Sequence, residues 1–108
     1  MSATQTLEPV KMLVGGRWEN ALTDRFGEVY NPSTGRVIAR VPLGTAEDVD
    51  RAVRAAAAAL PDWVETPAVE RARVLFRFWE RLTAHADDLA RLVTREHGKT
   101  LGESRASV

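Results

Sequence analysis

Short apolar runs broken by glycine fill the first forty positions, and from position 45 onward apolar residues recur every third or fourth place. The chain therefore reads as strands first and helices after. Met12-Leu13-Val14 and Arg17-Trp18 flank Gly15-Gly16, a pair that tolerates the positive φ of a two-residue hairpin turn. Residues 20–27 are polar and irregular. Glu28-Val29-Tyr30 then leads into Asn31-Pro32-Ser33-Thr34-Gly35, where proline presets φ and glycine accepts a left-handed position. Val37, Ala39 and Val41 alternate with Arg36, Ile38 and Arg40, the period of a strand with one buried face, and Pro42 ends this second hairpin.

Thr45 with Asp48 makes a variant capping box, behind which Val49, Ala52, Val53, Ala56 and Leu60 keep helical spacing. The pattern predicts a helix over residues 46–60 stopped by Pro61, with Trp63 in the connection as a plug between helices. Thr66-Pro67 reads as an N-cap followed by proline at the first helical position. The next helix lines Ala68, Ala72, Leu75, Phe76, Trp79 and Leu82 along one face and Glu70, Arg71, Arg73, Arg77, Glu80 and Arg81 along the other. Aromatics at this spacing are core rather than a cofactor box, and the arginines read as a solvated face with some ion pairs. The stripe loses phase around Ala84-His85-Ala86-Asp87, with His85 as the polar residue at the break, and resumes through Leu89, Leu92 and Val93. His97 lies in the last turn and Gly98 is a natural stop. A second capping box, Thr100 with Glu103, announces a further helix that has only eight residues before Val108, so the sequence is expected to be the beginning of a longer protein.

Composition narrows the chemistry. The 108 residues carry 15 Lys and Arg against 15 Asp and Glu, a formal charge of zero that gives no field to hold a phosphate backbone, so nucleic acid is not an expected partner. With no cysteine there is neither a thiolate metal site nor a cysteine nucleophile within these residues. The longest nearly apolar run, residues 55–60, is far below the roughly 20 residues that span a bilayer. Residues 1–10 lack the basic start and apolar stretch of a secretory signal and are expected to be a flexible arm, and the composition fits the cytoplasm.

Several motifs fail on spacing. Gly98-Lys99-Thr100 imitates the end of a phosphate-binding loop, but the earlier glycine it requires falls at Val93. No Gly-x-Gly-x-x-Gly follows a strand, and Ser104 and Ser107 have no Gly-x-Ser-x-Gly turn around them. His85 and His97 are too few for a metal site without cysteines. No catalytic, cofactor-binding or metal-ligating residue is assigned anywhere in the chain.

The order of Gly15-Gly16-Arg17-Trp18, Asn31-Pro32-Ser33-Thr34-Gly35, the strand to Pro42 and the alanine-rich helix before Trp63 resembles the N-terminal segment of the aldehyde dehydrogenase superfamily. The resemblance continues through Arg71-Ala72-Arg73-Val74-Leu75 and Leu89-Ala90-Arg91-Leu92 to Glu96-His97-Gly98-Lys99-Thr100-Leu101, and covers residues 12–108. Within the superfamily, the runs from Arg73 to Phe78 and from Glu96 to Thr100 look most like the CoA-acylating methylmalonate-semialdehyde dehydrogenase branch. Glu103-Ser104-Arg105-Ala106-Ser107 departs from that branch's usual ending, which leaves a related semialdehyde dehydrogenase as the alternative.

The resemblance implies an NAD-dependent oxidation in which a cysteine thiolate attacks the aldehyde and a thioester is released to water or CoA. It places the nucleophile and the dinucleotide site later in the chain, so no functional residue is carried onto these positions. It implies an α+β segment, two hairpins followed by three to four helices, which forms residues 11–108 of a Rossmann-type cofactor domain truncated within a helix. The expected partners are the remainder of the chain and further copies in a homo-oligomer, with no nucleic acid and no membrane. The 108 residues alone are expected to be catalytically silent. The competing reading is a helical protein-interaction module or pseudo-enzyme adaptor that offers the Leu75, Phe76 and Trp79 face to another protein.

Overall fold

The computed structural model describes residues 7–108. In chain order these form β1 (Met12–Val14), β2 (Arg17–Glu19), β3 (Phe26–Asn31), β4 (Arg36–Pro42), α1 (Ala46–Glu65), α2 (Ala68–Ala84), α3 (Ala86–His97) and α4 (Leu101–Ser107). The class is α+β, with two separate two-stranded sheets, β1-β2 and β3-β4, followed by helices.

Among the described residues, one compact unit comprises residues 7–30 and 35–58, and a second comprises residues 31–34 and 59–108. In the first, β1 and β2 pair antiparallel with Met12 opposite Glu19 and Val14 opposite Arg17. Gly15 and Gly16 turn between them at φ of 58° and 76°. Both values are positive, as a type I′ turn demands, so side chains on these residues would strain the hairpin. The β3-β4 pair is prolonged past the strand ends by Leu43 N–H donating to Arg25 O at 2.9 Å. Of the arm expected over residues 1–10, the first six lie outside the described residues. Pro9 forms a parallel bridge with Arg40, and Val10 N–H donates to Arg40 O at 2.9 Å.

The strict alternation expected along β4 is absent. Val37, Ile38, Ala39 and Arg40 are all half-buried, while Val41 is exposed. Arg40 owes its burial to stacking, since its guanidinium carbon lies 4.5 Å from the centre of the Phe26 ring. A long cation can lie flat on an aromatic face and so occupy a position that sequence period assigns to solvent.

α1 starts where the capping box predicts it. Thr45 Oγ1 accepts from Asp48 N–H at 3.2 Å, and Asp48 Oδ2 accepts from Thr45 N–H at 2.9 Å. It does not stop at Pro61, which sits inside the helix, and Trp63 consequently lies in its last turns rather than in the connection. Proline removes the bond to the carbonyl four residues back, that of Ala57, but leaves its neighbours' bonds in place, so a helix fixed by other contacts continues past it. Thr66 is likewise not the N-cap of α2: its Oγ1 donates back to Asp62 O at 2.7 Å and its N–H to Asp62 O at 3.0 Å, which closes α1. α2 begins after Pro67 without a side-chain cap.

In the second unit, α3 and α4 form a tight pair. Gly98 ends α3 in the left-handed region at φ 86°, with its N–H donating to Thr94 O at 2.8 Å. Thr100 and Glu103 then build a complete capping box for α4: Glu103 N–H donates to Thr100 Oγ1 at 3.3 Å and Thr100 N–H to Glu103 Oε2 at 3.0 Å. Ser104, fully buried on α4, shares a 2.7 Å hydrogen bond with Thr94 Oγ1 on α3. Arg105 Nε pairs with Asp87 Oδ1 at 2.9 Å at the exposed edge of the same two helices. Against this, apolar burial is slight. Ala90 is the sole buried apolar side chain among the described residues.

Candidate functional site

Two features stand out once each side chain is placed: a satisfied polar anchor in the first unit and an uncovered apolar face in the second. The anchor is Asp48. Its side chain is 2% exposed, and its Oδ1 accepts from Leu22 N–H at 2.8 Å while its Oδ2 accepts from Thr45 N–H at 2.9 Å and from Thr45 Oγ1 at 3.2 Å. Arg51 Nη2 approaches Asp48 Oδ1 at 3.4 Å and Glu19 Oε1 at 3.0 Å. The backbone donors of Thr45 and Leu22 hold the Asp48 carboxyl below the ordinary carboxylate range, with smaller help from the Thr45 hydroxyl and the Arg51 charge against the opposing effect of burial. A carboxylate bound on so many sides is ionised and committed. It fixes a loop to a helix start and has no free lone pair aimed at a ligand.

The apolar face lies on α2. Leu75, Phe76 and Trp79 are 64%, 66% and 63% exposed, and with half-buried Ala72 they line a shallow depression of about 420 Å³. Their spacing brings them together on one side of the helix, as the sequence pattern predicts. Val69 and Phe78 are also more than half exposed. Arg71 departs from the expected solvated face: it is half-buried, and its Nε is buried without a hydrogen-bond partner. Arg73 does pair with Glu70 on the solvent side. A side wall of ring and aliphatic carbon with almost no polar groups binds apolar surface and offers nothing to orient a small polar substrate.

Lys99, Ser107 and His85 are held by local hydrogen bonds. Lys99 Nζ donates to Ser107 Oγ at 2.5 Å, and Ser107 Oγ donates to Glu103 O at 3.3 Å. His85 stands between α2 and α3, and its Nδ1 donates to Arg81 O at 2.9 Å, a bond to the last turn of α2. The carboxyl of Glu103 is held low by the Thr100 backbone and hydroxyl donors, with lesser contributions from Lys99 and His97. Tyr30 donates to Glu28 Oε2, and that bond, with the carboxylate's charge, raises the phenol above its usual value. Among the described residues no three His, Asp or Glu side chains gather as a metal site, and no helix is long and apolar enough to cross a membrane.

A dinucleotide cradle requires glycines in a strand-to-helix turn. The strand-to-helix turn between β4 and α1 carries a single glycine, Gly44, and not the Gly-x-Gly-x-x-Gly run of such a cradle, so this turn does not fit a dinucleotide. No step of a reaction is assigned to it.

The sequence profile of the aldehyde dehydrogenase family matches residues 18–108, and the chain belongs to that family. It is 45% identical over 102 residues to a malonate-semialdehyde dehydrogenase of Bacillus pumilus, a match that takes in 94% of this chain and 21% of the relative. Among solved structures, a methylmalonate-semialdehyde dehydrogenase from Oceanimonas doudoroffii superposes with a TM-score of 0.87 at 36% identity, over 93% of this chain and 20% of that one. Aldehyde dehydrogenase C from Pseudomonas syringae, a mutant in complex with NAD+ and octanal, does so with a TM-score of 0.86 at 37% identity, over 90% of this chain and 20% of that one. The chain spans about a fifth of the length of the relatives it matches, in their N-terminal part.

Proposed function

We propose that these residues are the N-terminal part of a longer NAD-dependent dehydrogenase that oxidises a semialdehyde of the malonate or methylmalonate type, with CoA or water taking the acyl group. The reading takes its chemistry from the names of the similar proteins. In it, residues 11–108 are the leading piece of the cofactor-binding domain, NAD and substrate are held by residues further along the longer chain, and the enzyme is a cytoplasmic homo-oligomer. The 108 residues alone have no activity.

The observation that carries the proposal is the α2 face. Leu75, Phe76 and Trp79 are each almost two-thirds exposed, although full burial of such side chains is worth roughly 1.5–3 kcal/mol apiece. A stripe of this kind is covered in a finished domain. The proposed cover is apolar sheet surface supplied later in the same longer chain.

The test is to assay NADH formation from malonate semialdehyde and from methylmalonate semialdehyde, with and without CoA. Two proteins are compared: the 108-residue chain and a protein in which this segment continues to the length of the relatives. The longer protein is expected to reduce NAD with at least one of the two substrates and the short chain with neither. NADH formation by the short chain, or none by the longer protein on either substrate, overturns the proposal. Acyl-CoA in the product decides between the two acyl acceptors.

A further inference from the structure

We draw no further inference here: the strongest candidate, the exposed apolar stripe of α1 formed by Val49, Val53, Leu60 and Val64, is an unpartnered helix face, and nothing in the structure shows what covers it.

Discussion

Gly98 and Pro32 are in such close approach that a Cβ placed on Gly98 would lie 2.8 Å from Pro32 Cγ and 3.7 Å from Pro32 Cβ. The turn after β3 and the end of α3 are thereby locked together by the absence of one methyl group. Gly98 is also left-handed, at φ 86°, where a side chain costs about 1 kcal/mol before any clash. Gly98→Ala is therefore expected to destabilise the protein by roughly 2–3 kcal/mol, the sum of backbone strain and overpacking. Denaturant unfolding of the two proteins measures it. Gly102→Ala is the control, because a Cβ there meets nothing within 4 Å and its φ is not positive; it is expected to be neutral or slightly stabilising.

The capping box of α4 gives a second prediction. Thr100 supplies the acceptor for Glu103 N–H, and Glu103 returns the bond to Thr100 N–H. Thr100→Ala removes the first bond and is expected to cost about 1 kcal/mol, whereas Thr100→Ser is expected to cost a few tenths. Since α4 holds buried Ser104 against Thr94, the loss should appear as faster amide exchange over residues 101–107 before it appears elsewhere.

Pro61 yields the opposite sign. It lies within α1, where a proline disfavours helix by about 3 kcal/mol relative to alanine in a free helix interior. Part of that penalty is already relaxed near a helix end, so Pro61→Ala is expected to stabilise by about 1 kcal/mol and to raise helical circular dichroism. A loss of stability would mean that the proline is needed for the direction of the last turns of α1.

Acid sensitivity follows from Asp48 and Glu103, whose folded pKa values are both lowered. A group with a depressed folded pKa contributes stability that is complete above its unfolded pKa, near 4 for a carboxylate, and that is lost as pH falls through the folded value. The protein is therefore expected to lose stability below about pH 4, with a shallower acid slope in Asp48→Asn. Asp48→Asn is also expected to be less stable at neutral pH, because an amide cannot accept from Leu22 N–H, Thr45 N–H and Thr45 Oγ1 at once. Thermal melts from pH 3 to 7 check both statements.

Elements defined by neighbours in sequence were legible, and those defined by neighbours in space were not. Gly15-Gly16, Gly98 and the two capping boxes are local devices whose geometry follows from two to four consecutive residues. The end of α1 lies beyond Pro61 because a proline signal is only a propensity and the helix is held past it by Thr66 bonding back to Asp62. Arg40 and Arg71 were assigned to solvent by period, yet Arg40 lies on Phe26 and Arg71 is half-buried with an unpaired Nε. Asp48 was recognised as a cap, while its bond to Leu22 N–H spans 26 residues and leaves no trace in local sequence. The α2 face is legible as a stripe, whereas the extent to which each of its side chains stays exposed depends on neighbours in space.

The chain contains no cysteine, so one thiol placed on that face reports its surroundings directly. Phe76→Cys, two-thirds exposed here, should be alkylated at the rate of a free thiol in the 108-residue chain. In a protein extended to the length of the relatives, peptide mass spectrometry at position 76 is expected to show labelling slowed by a factor on the order of 100 or more, as for a site reached only by local opening. Equal labelling rates in the two proteins would contradict the account, since the face would then be solvent-exposed even in the extended protein.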